Sequence, residues 1–248
     1  LRGKRAEQWK LIDELVPRSK FSETVEKRAM EISDRSIKPV GLKGIDLTDL
    51  KREFNKNSIT YENILITLDR ETGVVNLTIK GPSGDLPLDL KSIEALGAKY
   101  WPLALARELD DAILHLSFNE LELGTWVFRS TGDIDRVANV DEVLIKHKDH
   151  WLINEIIQYL KRVLKRLDLA SRSIVALVEP GSCFAGTLLE LVFAADRSYM
   201  LDGIIQDSCD YPALLLTTEM NFGNLRMCNG LTRLQTRFLN QTELVKKI

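Results

Sequence analysis

Glu179-Pro180-Gly181-Ser182-Cys183-Phe184-Ala185-Gly186-Thr187-Leu188-Leu189-Glu190 is the stretch on which the fold turns. The apolar run Ile174 to Val178 precedes it and reads as a short buried strand. Pro180-Gly181 turns the chain, and a helix is expected from about Gly186 to Ala195. Glycine lets a backbone N–H approach a ligand closely. The first N–H groups of a helix have no internal partner and lie at the positive end of its dipole. A thioester carbonyl oxygen placed there would be stabilised as it gained negative charge. Glu190, one turn into the helix, is then a candidate acid or base. A plainer reading stands beside this one: any α/β protein has such junctions, and Glu190 reads equally as a solvated helix residue.

Outward from this junction, helices and short strands alternate from about residue 64, an α/β pattern. Upstream, Trp151 to Leu167 carries a broad apolar stripe of Leu152, Ile153, Ile156, Ile157, Leu160, Val163, Leu164 and Leu167. Trp126-Val127-Phe128 reads as a strand that runs into the loop Ser130-Thr131-Gly132-Asp133. Leu103, Ala106, Leu109, Ile113 and Leu116 mark a further helix. Ile64 to Leu68 and Val74 to Ile79 form a hairpin about Glu71-Thr72-Gly73. Pro39 to Asn57 shows no sustained period and is expected to be a linker or surface excursion. Two helices open the chain, at Arg2 to Glu14 and from about Ser22. Downstream, Leu214 to Thr217 reads as a strand and Leu231 to Leu239 as a helix.

Composition bounds the function classes. The 248 residues are 44% hydrophobic and 28% charged, values of an ordinary globular protein. A net charge of -2 gives no reason to expect nucleic acid or an acidic membrane as partner. No apolar stretch approaches the roughly 20 residues of a membrane span. Leu1 to Lys10 is basic and polar, so no secretory leader is expected in it. Cys183, Cys209 and Cys228 fit no zinc spacing and are expected as reduced thiols in a cytoplasmic protein. Cys183, in the glycine turn, reads either as a small buried thiol or as a reactive thiolate. His147 and His150 have the spacing of two ligands on one helix face, but no third ligand is apparent and no metal is expected. Lys161, Arg162, Lys165 and Arg166 read as a solvated helix face that could also attract phosphates. Trp101, Trp126 and Trp151 read as core or interface anchors.

Three separated motifs carry a family resemblance. Glu190-Leu191, with Asp196 following, is similar to the Gly-Gly-Gly-x-Glu-Leu…Asp segment of the crotonase superfamily. Trp126 to Ile134 resembles that superfamily's first oxyanion-hole loop, and Thr218-Glu219-Met220-Asn221-Phe222-Gly223 resembles its Pro-Glu-x-x-x-Gly. The glycine triplet is reduced to Gly186-Thr187-Leu188, and one residue is missing between Gly132 and Asp133. Leu1 to Pro17 resembles the end of a crotonase unit, so a tandem is expected: residues 1–40 the helical tail of a preceding unit, 41–60 a linker, and 61–248 a divergent second domain.

Trp101-Pro102-Leu103, Ala106 to Leu114, His147 to Trp151 and Glu179 to Thr187 resemble the C-terminal half of the benzoyl-CoA-dihydrodiol lyases. That resemblance implies an α/β, crotonase-like spiral of ββα units with flanking helices. It implies a CoA-linked ring cleavage in aromatic acid degradation, with the substrate carried as a coenzyme A thioester and no other cofactor. It implies an acyl-CoA substrate, a missing N-terminal half that holds the main catalytic glutamates, and a homo-oligomer. Carried onto this chain, Glu190 and Glu219 become the candidate catalytic pair, and Gly132, Asp133, Gly186 and Thr187 the candidate oxyanion hole. Two alternatives stay open: a stand-alone enoyl-CoA hydratase or isomerase, and a structural module without chemistry.

Overall fold

The hairpin expected at residues 64–79 is the centre of the sheet. A computed structural model describes residues 2–36, 43–203 and 212–248. Strands β3 (Ile64–Asp69) and β4 (Val74–Lys80) pair antiparallel, with Ile66 opposite Leu77. Their period-two pattern sends Ile64, Ile66, Leu68, Val75, Leu77 and Ile79 into the core. Each such side chain contributes about 1.5–3 kcal/mol when fully buried. The turn between them is closed by Asp69, which accepts from the N–H groups of Glu71 and Thr72, and by Gly73 at φ 71.

Two short strands precede the hairpin, β1 (Glu53–Asn55) and β2 (Ser58–Thr60). They pair with each other, and β2 pairs with β3, so residues 53–60 belong to the sheet rather than to a linker. The rest of the 41–60 stretch has no regular structure from residue 43, and 41–42 lie outside the described residues.

From β4 onward the sheet is parallel. Helices α3 (Leu90–Leu96) and α4 (Trp101–Asn119) cross to β5 (Thr125–Thr131). Helices α5 (Ile134–Lys146) and α6 (Trp151–Asp168) cross to β6 (Ser173–Val178). Helix α7 (Gly186–Ala194) crosses to β7 (Arg197–Met200). Among the described residues, seven strands lie in sequence order, β1 to β7, in one mixed sheet. The α/β class is therefore the observed one. All eight stripe residues of α6 are buried, and the helix packs on α4.

Several local features differ from expectation. The α5 helix is an addition: Asp133 caps it by accepting from Asp135 and Arg136 N–H, and Val137, Val140 and Leu144 anchor it. Leu214 to Thr217 forms only a single bridge, Leu216 to Ala185. A 3-10 turn at Glu219–Phe222 follows, then α8 (Arg233–Arg237) and α9 (Thr242–Val245).

Residues 1–44 form a unit of their own and 45–248 another. In the first, α1 (Gly3–Gln8) is shorter than the expected Arg2 to Glu14, because Lys10 takes a left-handed conformation (φ 55) and Leu11 N–H bonds back to the Ala6 carbonyl. Helix α2 (Phe21–Arg35) follows and buries none of its residues.

Candidate functional site

The loop after β5 and the loop after β6 are laced together. Gly132 N–H donates to the Gly181 carbonyl at 3.1 Å. Cys183 N–H donates to Ser130 Oγ at 3.0 Å, and Arg129 pairs with Glu179. Glu179 N–H donates to Ser182 Oγ while Ser182 N–H donates to the Glu179 carbonyl, which closes the turn at Gly181 (φ 82). Gly132 is needed for close approach: a Cβ there would lie 3.2 Å from Gly81 and 3.4 Å from Cys183 Sγ. The first candidate oxyanion donor is thus spent on a neighbouring carbonyl, and Asp133 serves as the α5 cap. Cys183 is fully buried, and burial pushes its thiol up, opposite to the shift that makes a reactive thiolate. Cys209 lies outside the described residues.

The N-terminus of α7 is filled from within the protein. Gly186 N–H donates to the Leu216 carbonyl at 2.9 Å. Thr187 N–H donates to Asp141 Oδ2 at 2.8 Å, and its hydroxyl to Asp141 Oδ1 at 2.6 Å. Thr218 Oγ1 donates to Asp141 Oδ2 at 2.8 Å. Asp141 is 1% exposed, and its carboxyl is pushed up to about 6, first by burial and also by the charge of Glu190; the threonine bonds pull the other way. A Cβ on Gly186 (φ 39) would collide with the Asp141 carboxylate and the Thr218 side chain. At the far end of α7, Arg237 donates to the carbonyls of Val192, Phe193 and Ala195. A carboxylate at the positive end and a guanidinium at the negative end compensate the helix dipole internally.

Glu190 is equally committed. It is 1% exposed, its Oε2 accepts from Arg233 Nη1 at 2.8 Å, and its Oε1 accepts from Asn221 Nδ2 at 2.7 Å. Arg233, also 1% exposed, holds Asp168 through a bidentate pair at 2.8 and 2.7 Å and donates to the Leu225 carbonyl. Asn221 further donates to the Gly186 carbonyl and accepts from Thr218 N–H. Burial raises the Glu190 pKa, and Arg233 and Asn221 oppose that rise. A polar chain therefore runs from Asp141 through Thr218, Asn221, Glu190 and Arg233 to Asp168, joining α5, α7, α8 and the end of α6.

Glu219 is not part of this chain. It opens the 3-10 turn with its side chain exposed, while its neighbour Asn221 reaches Glu190. The expected pairing of Glu190 and Glu219 across one cavity is corrected accordingly: one carboxylate is bonded inside the core and the other faces outward. Two clefts of about 520 and 540 Å³ lie elsewhere, one beside Arg136 and Lys146, the other beside Val192 and Phe238. Neither is lined by Gly132, Asp133, Cys183, Gly186, Thr187, Glu190 or Glu219.

The remaining singled-out residues have local roles. His150 faces Glu94 at 3.4 Å, and no group of three or more metal-binding side chains gathers among the described residues. Arg166 pairs with Asp110 at 2.8 Å, and Arg162 stacks over Tyr159. Trp126 is fully buried, Trp101 donates to the Lys80 carbonyl, and Trp151 is partly exposed. No described helix is long and apolar enough to cross a membrane.

Asp141, Thr218, Asn221, Arg233 and Asp168 are absent from the candidate site read from sequence. Asp141 had a usable signal: it sits four residues after Val137 and three before Leu144, an acid on the apolar side of an amphipathic helix.

No family model matches. The chain is 42% identical over 241 residues to the benzoyl-CoA-dihydrodiol lyase of Aromatoleum evansii. That match covers 97% of this chain and 42% of the relative's length. Among solved structures, an enoyl-CoA hydratase of Geobacillus kaustophilus HTA426 matches 58% of this chain and 47% of its own, at 14% identity and a TM-score of 0.37. One from Shewanella pealeana ATCC 700345 matches 55% and 46%, at 14% identity and a TM-score of 0.36.

Proposed function

We propose that this chain is the supporting half of a CoA-thioester lyase of the benzoyl-CoA-dihydrodiol lyase kind. The whole protein would open the non-aromatic ring of a dihydrodiol or epoxide of benzoyl-CoA in aerobic benzoate degradation, in the cytoplasm. The catalytic glutamates would lie in the other half. This half would hold that part in place and contribute to a homo-oligomer, and would need no cofactor beyond the coenzyme A of the substrate. The support for the lyase is the similarity along 97% of the chain.

One observation carries the supporting role: the Asp141 carboxylate takes the N–H and hydroxyl of Thr187, one of the residues expected to hold a thioester oxygen. An oxyanion hole stabilises a transition state only if its donors are free for the substrate. Here Gly132 and Gly186 N–H are also spent on carbonyls, and a negative charge already stands at the spot. A stand-alone hydratase would further need Glu190 free to exchange a proton, whereas both of its oxygens are bonded inside the core.

The test is calorimetric titration of benzoyl-CoA into this chain. Heats no larger than dilution are expected. Saturable binding that Glu190→Gln weakens would overturn the supporting role and restore a working pocket.

A further inference from the structure

The two edges of the sheet are built differently. At one edge, β1 is flanked by Lys51, Arg52 and Lys56, all exposed, so two copies meeting there would bring cations together. At the other edge, all four residues of β7 are exposed, and the chain continues through Leu201 and Asp202. Tyr199 is 60%, Met200 50% and Leu201 42% exposed. Among the described residues β7 pairs on one side only, with β6. An uncovered edge offers its N–H and C=O groups to another strand, and between Arg197 and Asp202 neither a charge nor a proline discourages this. We propose that a second copy of this chain pairs antiparallel with β7 across a two-fold axis at Met200 and extends the sheet. The proposal deepens the homo-oligomer part of the reading above and rests on it.

Backbone geometry selects the register. Leu201 N–H donates to the Val178 carbonyl at 2.9 Å, so by the alternation of a strand Ser198, Met200 and Asp202 turn their N–H and C=O groups outward. In an antiparallel pair related by a two-fold axis, one residue must face its own copy, because bonded and non-bonded pairs alternate along the ladder. With Met200 on the axis, Ser198 stands opposite Asp202 of the second copy, a hydroxyl donor facing a carboxylate acceptor. Tyr199 stands opposite Leu201 of the second copy on the other face, an apolar pair. A register centred on Tyr199 would instead set Asp196 against Asp202.

Charge and apolar surface select the occupant. The exposed segment begins at Arg197 and ends at Asp202, so an antiparallel copy brings opposite charges to each end and a parallel one brings like charges. The apolar surface also runs on beyond the strand. Ser198 lines the cleft of about 540 Å³, where Leu215, Leu216 and Ile248 are exposed as well. A stable interface buries about 1,200–2,000 Å² in total; a ribbon of six residues is short for that, and this rim adds to it.

Sedimentation velocity of the chain over a range of concentrations tests this. The wild type is expected to dimerise. Met200→Lys sets two ammonium groups face to face on the axis, and Tyr199→Lys removes the apolar pair; each is expected to raise the dimer Kd by about tenfold or more. Phe118→Lys changes a 72% exposed side chain on α4 and is expected to leave the Kd unchanged. Ser198→Asp sets carboxylates opposite one another and is expected to weaken the dimer, and adding Asp202→Ser to restore it. Should a lysine variant misfold by circular dichroism, Ser198→Asp and its rescue carry the test. A monomeric wild type would overturn the interface together with the homo-oligomer. A dimer that Met200→Lys or Ser198→Asp leaves intact, a Ser198→Asp defect that Asp202→Ser does not rescue, or dissociation by Phe118→Lys would overturn the interface alone. Failure of the supporting role is read separately, as binding of benzoyl-CoA by the wild type.

Discussion

Replacing Arg233 by methionine should be among the most damaging single changes in this protein, and replacing Glu190 by glutamine should be damaging for a different reason. Arg233 is 1% exposed and holds two carboxylates, Glu190 at 1% and Asp168 at 6% side-chain exposure. Arg233→Met leaves both without their cation and breaks the bond to the Leu225 carbonyl as well. Removing one partner of a buried pair costs about 3–5 kcal/mol, most of it from the charge left behind. For a domain of this size that corresponds to a fall in Tm of about 6–20 °C. Glu190→Gln keeps the shape but forces an amide NH₂ against a donor, because Asn221 Nδ2 and Arg233 Nη1 both donate to this residue. An unmatched buried donor costs about 1–3 kcal/mol, or a Tm lower by about 2–12 °C. Arg233 keeps its bidentate partner Asp168, so this loss should be the smaller of the two. Urea and thermal unfolding of both variants and of the double variant measure the difference. The double variant should lose less than the summed losses, because its two sites share one contact. If Glu190→Gln melts within about 1 °C of the wild type, the carboxylate is not held as described.

Two further outcomes are open to measurement. The Asp141 carboxyl is pushed from its ordinary value up to about 6, so the folded chain holds a proton that the unfolded chain has released between roughly pH 4 and 6. Through this group stability is greatest below that window and falls by about 3 kcal/mol as pH rises through it; the raised Glu190 acts in the same direction. The stability difference between wild type and Asp141→Asn should therefore change across this window, and a difference independent of pH would exclude the buried charge. Cys183 is buried and Cys228 exposed, so a thiol reagent at neutral pH should modify Cys228 at once and Cys183 only as the protein opens. Peptide mapping by mass spectrometry reads this, and equal labelling rates would place Cys183 at the surface.

Much of the fold was legible because it is local. The hairpin shows as a period of two on either side of a glycine turn, and the α6 stripe as a period of three to four; every stripe residue is buried. The turn at Gly181 and the helix after it follow from residue types that permit few other conformations. Where packing overrode pattern, expectation went astray. Leu214 to Thr217 has strand composition, yet among the described residues it forms one isolated bridge, Leu216 to Ala185, outside the sheet. The polar stretch before residue 60 conceals β1 and β2; β2 takes the edge that β3 offers, and β1 pairs on β2 in turn.

The candidate site divides along the same line. Order and spacing of motifs along the chain determined the α/β class, the strand–turn–helix junction and the likeness to a lyase, since these depend on neighbours a few residues apart. What the junction does depends on partners far away in sequence: Asp141 reaches Thr187 across 46 residues and Arg233 reaches Glu190 across 43. No local pattern reveals whether an N–H at a helix start points at a ligand or at a carboxylate of its own chain. Only tertiary packing, which removes water and brings partners from distant segments to buried polar groups, decided that these donors are already satisfied.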